Sequence, residues 1–136
     1  DFISKFASAI ESLLDASEGK SPIMETFVRI SNSENFLKYP DKRHNMFIVS
    51  DMLQNSDNYS HYWKGIDATN WETFEDKMTG TVYTRPRLDG VHWQVFHAKR
   101  AELREKELQT TKLSNFWVKF FDKGKAVKRE WILIDG

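Results

Sequence analysis

The most informative part of this sequence for predicting the fold is Met46-Phe47-Ile48-Val49-Ser50-Asp51. Its four consecutive apolar residues are typical of a strand that is buried on both faces of a parallel sheet. The run ends abruptly at Ser50 and Asp51, so two polar side chains follow the strand directly. Ligands of open α/β sheets bind beyond the carboxyl ends of the strands. The stretch therefore predicts a parallel sheet with a site at its edge.

Helical and strand-like patterns alternate on both sides of this strand. Upstream, apolar spacing predicts helices over 2–16 and 22–39, the second with Ser21 as its cap and Pro22 as its first residue. Downstream, the patterns predict a loop over 54–70, helices over 71–78 and 108–123, and strands over 90–98 and 131–134. This order predicts an α/β fold, a Rossmann-like three-layer sandwich with a mostly parallel sheet.

Composition limits the classes of protein to which the chain can belong. Its 136 residues fit one domain over 1–136, and equal numbers of basic and acidic residues argue against a protein built to follow a phosphate backbone. The lack of cysteine excludes disulfide scaffolds and thiol nucleophiles. We find no signal peptide and no apolar run of about 20 residues, the length that spans a bilayer, and we expect a cytoplasmic protein. The chain opens on an amphipathic pattern without Met, which predicts that it is a fragment of a larger domain.

Ser21, Ser50 and Asp51 are the candidate metal ligands. An Asp after a buried strand can bind Mg²⁺ directly or through water, but it can equally cap a turn. A Ser before a helix can cap the helix, bind a metal or contact an anion. The residues alone leave these interpretations open.

Together these residues resemble the von Willebrand factor A-like (vWA-like) family, in particular bacterial members of uncharacterised or mobile-element type. The matching stretches are Ser21 to Glu25, Phe47 to Ser56, Leu88 to Phe96 and Phe116 to Ala126. The resemblance covers the chain from about Ser21 onward. It implies a vWA-like α/β domain that lacks its N-terminal strand here. It also implies a module that binds another protein rather than an enzyme.

The resemblance implies a metal-ion-dependent adhesion site as well. The family often binds a divalent metal through an Asp-x-Ser-x-Ser loop after its first strand, a Thr from a second loop and an Asp from a third. Ser21 matches the Thr position and Asp51 the third-loop Asp. The Asp-x-Ser-x-Ser motif is absent, and its nearest approach, Asp15 to Gly19, has Gly in place of the last Ser. Mg²⁺ is therefore expected only if the missing loop lies upstream of Asp1.

The predicted loop is rich in aromatic and polar side chains. The candidate partner-binding residues in it are Gln54, Asn55, Tyr59, His61, Tyr62, Trp63 and Lys64. Tyr and Trp are common anchors of protein interfaces, and aromatic rings beside a Lys can also stack on nucleic-acid bases. A third interpretation is that the rings pack beneath the loop. All three interpretations remain open at this point.

An enzyme is the main alternative to a binding module. Asp51 with Asp57 or Asp67 could serve a metal-dependent hydrolase, such as a nuclease or phosphatase, although nothing in the spacing singles out either pair. The four His residues lack the spacing of H-E-x-x-H, and no G-x-S-x-G elbow or P-loop is present. Between Arg85 and Glu107, basic residues alternate with Glu, a pattern typical of a solvated helix face. The leading hypothesis is a vWA-like protein-binding module.

Overall fold

A computed structural model describes residues 19–39 and 42–134, with the backbone alone at 128 and 129. The predicted helix over 2–16 lies outside the described residues. The elements, in chain order, are α1 (Ile23–Ser31), α2 (Glu34–Lys38), β1 (Asn45–Ser50), α3 (Trp71–Met78), a 3₁₀ turn (Val82–Thr84), β2 (His92–Ala98), α4 (Leu103–Leu108), α5 (Thr111–Lys123) and β3 (Lys128–Ile134). In the described ranges, no helix combines the length and apolar character that crossing a bilayer requires.

The three strands form one open parallel sheet in the order β1-β2-β3. Ile48 of β1 pairs with Val95 of β2, which pairs in turn with Trp131 of β3. Parallel strands require crossover connections. Along the chain, the connection from β1 to β2 contains α3, and the connection from β2 to β3 contains α4 and α5. The expected α/β fold with a parallel sheet is confirmed at this level. All three strands end at the same edge of the sheet.

The core lies between one face of the sheet and the aromatic sides of α1 and α5. Trp93 of β2 stacks on Phe121 of α5 with the ring centroids 4.3 Å apart. Phe27 of α1 meets Trp117 edge-on at 5.9 Å. These four side chains are nearly or fully buried, and burying each one stabilises the fold by roughly 1.5–3 kcal/mol. This core holds the sheet in place and thereby positions its carboxyl edge.

In the described structure β1 is buried on one face, and not on both as the sequence predicts. Met46 and Ile48 face the core and are under 10 % exposed, whereas Phe47 between them is 69 % exposed. Successive side chains of a strand point to opposite faces, and the described helices α1 and α5 contact the Met46–Ile48 face. Two layers are thus observed within the described residues. The third layer of the predicted sandwich stays a prediction.

Two helix boundaries also differ from the prediction. The helix expected over 22–39 is divided into α1 and α2, and Pro22 rather than Ser21 is its N-cap, without a side-chain hydrogen bond. Ser21 instead pairs through its backbone with Asn55, at N···O distances of 2.7 and 2.9 Å. The carbonyl that accepts the first hydrogen bond of α1 belongs to Pro22, which accepts from the N–H of Thr26 at 3.0 Å. The predicted capping role of Ser21 is therefore wrong.

The helix expected over 108–123 begins at Thr111, because Gln109 ends α4 and turns the chain. Other predicted boundaries are confirmed. The Asn70 side chain caps α3 by accepting a hydrogen bond from the N–H of Thr73 at 3.1 Å, and Gly124 ends α5. The strand expected over 131–134 is the second half of β3.

Candidate binding site at the carboxyl edge of the sheet

A cleft of about 610 Å³ opens at the carboxyl ends of β1 and β2. Four separate segments of chain line it: the approach to α1, the end of β1, the loop after β1, and the residues after β2. The polar and aromatic side chains among its lining residues are Ser21, Ser50, Asp51, Asn55, Ser60, Tyr62, Trp63, Arg100, Arg104 and Glu105. The predicted metal ligands Ser21, Ser50 and Asp51 therefore share one cleft with three predicted partner-binding residues, Asn55, Tyr62 and Trp63.

Asp51 is held in place by two hydrogen-bond donors at the edge of the cleft. Its Oδ1 accepts a hydrogen bond from the N–H of Leu53 at 3.0 Å, and its Oδ2 lies 3.2 Å from a guanidinium nitrogen of Arg100. Both side chains of this ion pair are mostly buried. Burial raises the pKa of Asp51, against the opposing effects of the Leu53 N–H and the Arg100 charge. The carboxylate is thus held in one orientation by two donors.

The backbone of Asp51 is held as firmly as its side chain. Its carbonyl oxygen accepts hydrogen bonds from Gln109 Nε2 at 3.0 Å and from His97 Nε2 at 3.2 Å. The indole N–H of Trp131 donates to His97 Nδ1 at 3.2 Å, so the proton of the neutral ring is on Nε2. Burial lowers the pKa of His97 to about 4, which keeps the ring neutral near pH 7. Gln109 also donates to the carbonyl of Ala98 at 2.9 Å and so ties the end of β2 to the turn after β1.

The turn after β1 has an unusual backbone at Met52, whose φ is 59°. This left-handed conformation is disfavoured for a residue with a side chain. Two hydrogen bonds compensate: Ser50 Oγ accepts from the N–H of Met52 at 2.9 Å, and Trp117 Nε1 donates to its carbonyl at 2.7 Å. Ser50 therefore shapes the turn that presents Asp51.

The three predicted ligands match Mg²⁺ in the type of their donor atoms but not in their charge. Ser21, Ser50 and Asp51 offer oxygen atoms, which is the donor type that Mg²⁺ prefers. Their only carboxylate is already paired with the Arg100 guanidinium, however, and that positive charge opposes a second cation beside it. Within the described part of the chain, no group of three or more His, Asp or Glu side chains could hold a metal ion. The described residues alone do not fit Mg²⁺, and a metal stays a prediction tied to further ligands.

Three of the predicted partner-binding residues, Gln54, Tyr59 and His61, lie inside the protein. Gln54 Oε1 accepts from the N–H of Met24 at 2.9 Å, and His61 Nδ1 accepts from the N–H of Gln54 at 3.0 Å. The Tyr59 hydroxyl donates to the carbonyl of Ala68 at 2.7 Å. These three side chains therefore pack beneath the loop, which is one of the three interpretations that the sequence left open.

A network around Glu25 of α1 anchors the same loop. The Glu25 carboxylate accepts hydrogen bonds from Gln54 Nε2 at 3.0 Å, from Asn58 Nδ2 at 3.2 Å and from the hydroxyl of Ser56. Burial by itself would raise the pKa of Glu25, but these hydrogen bonds hold it below the usual value. The loop is therefore fastened to α1, and the cleft wall that it forms is fixed in place.

The other predicted partner-binding residues are at the surface. Trp63 is 39 % exposed, and Lys64 beside it is exposed without lining the cleft. Asn55 joins two walls of the cleft, since its Oδ1 accepts from the Ser60 hydroxyl at 2.8 Å while its backbone pairs with Ser21. Tyr62 is half-buried, and its contact with a partner stays a prediction.

Sequence reasoning missed the basic wall of the cleft, which comes from Arg100 and Arg104. The guanidinium of Arg104 lies 4.6 Å above the centroid of the Tyr62 ring. Alternating charge between Lys99 and Glu107 suggested only a solvated helix face. The signal that could have located these residues is positional, because the residues after β2 must lie at the same edge of a parallel sheet as those after β1.

No family model, no curated protein and no solved structure matches this chain. The resemblance to the vWA-like family accordingly rests on the residues and motifs of the sequence.

Proposed function

We propose that this protein is a binding module of vWA-like type that recognises another protein through the cleft at the carboxyl edge of its sheet. The observation that carries the proposal is the convergence of Ser21, Ser50 and Asp51 with the exposed ring of Trp63 in one cleft. These residues come from three separate segments of chain. The family resemblance implies a binding rim made of the same Ser and Asp positions.

The chemistry of the cleft suits binding. Protein interfaces are anchored by aromatic side chains and arginines, and here Trp63, Tyr62 and Arg104 supply both at one rim. The hydroxyl group of Ser21 adds a donor and an acceptor beside them. A cleft of about 610 Å³ has room for a few side chains of a partner.

The rigidity of the cleft supports the same proposal. Asp51 is fixed through its side chain and its carbonyl, and the facing loop is fixed by the Glu25 network. A wall that is already ordered costs little conformational entropy when a partner binds. Binding through such a surface needs no large rearrangement of the module.

Site-specific photo-crosslinking tests this proposal. The full chain carries p-benzoylphenylalanine in place of Trp63, or in place of Val82 as a control, in cells that encode the protein. Val82 is 48 % exposed and does not line the cleft. We expect a discrete crosslinked polypeptide from position 63 and none of the same mass from position 82. Identical products from both positions, or none from position 63, would contradict the proposal.

The alternative of a metal-dependent hydrolase makes a different prediction. It requires phosphatase or nuclease activity that is lost in Asp51→Asn and on addition of a chelator. A binding module predicts no such activity in the parent chain. An activity that depends on both Asp51 and a divalent metal would replace the proposed function by the hydrolase.

A further inference from the structure

We propose that the cleft binds an acidic side chain of the partner protein, and that the guanidinium of Arg104 is the group that receives it. This inference rests on the proposed function and names the chemistry of the partner. It follows from the position of Arg104, from the pairing of the other charges in the cleft, and from the contact between Arg104 and Tyr62.

Arg104 is exposed and lines the cleft. Among the described residues, no carboxylate lies within 4.0 Å of its guanidinium, since none of the ion pairs includes it. Its contact is with the Tyr62 ring, 4.6 Å from the centroid. This contact is with the face of the aromatic ring and not with a hydrogen-bond acceptor, so it leaves the N–H groups of the guanidinium able to donate to a ligand.

The other basic group of the cleft is already neutralised. Arg100 pairs with Asp51 at 3.2 Å and with Glu102 at 3.0 Å. The hydrogen bond to Glu102 is the main factor that raises the pKa of Arg100. The guanidinium of Arg100 therefore stays charged, and the two carboxylates balance that charge. Arg104 therefore supplies the positive charge that, within the described part of the cleft, lacks a close anion.

The same balance of charge favours a carboxylate over a phosphate. Burial, followed by the charges of Asp51 and Glu105, raises the pKa of the Tyr62 hydroxyl to about 12. Asp51 is paired with Arg100, whereas Glu105 lines the cleft and is in none of the ion pairs among the described residues. The charge of Glu105 would repel a dianionic phosphate more strongly than a singly charged carboxylate. A single carboxylate matches the guanidinium of Arg104 and can accept two parallel N–H bonds from it. The exposed ring of Trp63 provides an apolar surface for the methylene groups of a Glu or Asp side chain.

Side-chain NMR of the full chain tests the inference. The probes are an acetylated and amidated Gly-Glu-Gly peptide, the matching Gly-Gln-Gly peptide, and inorganic phosphate. We expect the Glu peptide to shift the Nε–H signal of Arg104 and the indole N–H signal of Trp63 in a saturable manner. We expect at least about tenfold weaker binding of the Gln peptide, because it lacks the charge that a guanidinium pairs with.

Matched variants assign the effect to Arg104. Arg104→Gln is expected to weaken binding of the Glu peptide at least about tenfold, and Arg104→Lys to retain part of it, because a lysine keeps the charge but loses the bidentate geometry. Arg87→Gln, at an exposed arginine outside the cleft, is expected to leave binding unchanged. Urea unfolding of each variant establishes that it folds.

Each contrary outcome has a distinct meaning. Equal binding of the Glu and Gln peptides, full binding by Arg104→Gln, or an absence of shifts would overturn the acidic side chain as the ligand. Tighter binding of inorganic phosphate would overturn it in favour of a phosphate ligand. If crosslinking from position 63 nevertheless yields a specific product, the proposed function survives and only this inference fails.

Discussion

The carboxylate of Asp51 lies 3.2 Å from the guanidinium of Arg100, and the two side chains are only 12 % and 15 % exposed. The residues are 49 positions apart in the chain. They meet because β1 and β2 are parallel neighbours that end at the same edge of the sheet. The residue that the vWA-like resemblance implies as a metal ligand is thus part of an ion pair in the described structure.

The Asp51–Arg100 ion pair is expected to stabilise the fold, and the effects of substituting its two residues are expected to be non-additive. Asp51→Asn and Arg100→Gln should each lower the free energy of unfolding by about 1–3 kcal/mol. Arg100→Gln leaves the buried Asp51 carboxylate without the charge that pairs with it, and Asp51→Asn removes the more buried of the two carboxylates that pair with Arg100. The double variant should lose less than the sum of the two. Urea unfolding measures all three. The exposed pair Lys112–Asp67 serves as a control, with an expected coupling below about 1 kcal/mol, and an Asp51–Arg100 coupling no larger than that would contradict the prediction.

Gln109 is expected to be essential to the turn after β1. Gln109→Ala removes the donor to the carbonyls of Asp51 and Ala98 and the acceptor for the N–H of Arg100. Leaving such groups unsatisfied should cost about 2–3 kcal/mol of unfolding free energy. Gln94→Ala is the matched control, since its amide bonds to Glu130 at the surface, and it should change stability by less than about 0.5 kcal/mol. Equal losses in the two variants, measured in urea, would show that Gln109 has no special role.

The buried ring of His61 predicts loss of stability in mild acid. Burial lowers the pKa of His61 to about 3, well below the value of an unfolded chain. The free energy of unfolding is therefore highest, with respect to this group, above about pH 6.5. It falls by about 1.4 kcal/mol per pH unit as the pH drops from there toward 3, because the unfolded chain takes up a proton that the folded protein does not. His97, with a pKa lowered to about 4, adds to the effect. Urea unfolding between pH 8 and pH 5 measures the slope.

The variant His61→Gln isolates the contribution of this ring. It removes the titrating group while a Gln oxygen can still accept from the N–H of Gln54, which His61 Nδ1 accepts in the parent. The variant should show a shallower loss of stability below pH 6.5, and the same flat profile as the parent above pH 7. An unchanged slope would assign the acid sensitivity to other groups.

The exposed face of β1 and the aromatic core on the other side of the sheet are expected to respond differently to substitution. Phe47→Ser should change the free energy of unfolding by less than about 0.5 kcal/mol, because the ring is 69 % exposed. Phe121→Ala should cost about 3–5 kcal/mol, since this ring is fully buried against Trp93. Thermal or urea unfolding compares the two. A large loss in Phe47→Ser would mean that another layer covers this face, as the predicted sandwich requires.

Mg²⁺ is expected to leave the stability of this chain unchanged. The carboxylate of Asp51 is paired with Arg100, and the described ligand set fits Mg²⁺ poorly. A ligand that binds the folded state raises the unfolding midpoint in proportion to the logarithm of its concentration. Thermal unfolding in millimolar Mg²⁺ and in chelator should therefore give equal midpoints. A rise that disappears in Asp51→Asn would instead establish Asp51 as a ligand.

Local sequence patterns predicted well which residues form helices and strands, but they did not predict which residues of other elements these would contact. The run from Met46 to Val49 identified β1, and Asn70 identified the start of α3, because strand patterning and capping depend on neighbours in sequence. The burial of Tyr59 and His61 was left open among three interpretations. It depends on contacts with α5, which begins some fifty residues later at Thr111, as in the ring contact of His61 with Phe116 at 4.6 Å.

Local patterns in the sequence were sufficient to predict an α/β chain with parallel strands and to place Ser50 and Asp51 at the end of the first described strand. Periodicity and the abrupt change from apolar to polar residues suffice for that, since both are local properties. The folded structure was needed to show that Asp51 pairs with Arg100, that Phe47 faces outward, and that Arg104 lies over the Tyr62 ring in the cleft. Charge pairing and burial depend on which strands become neighbours and which face the helices cover, and a linear pattern does not record either.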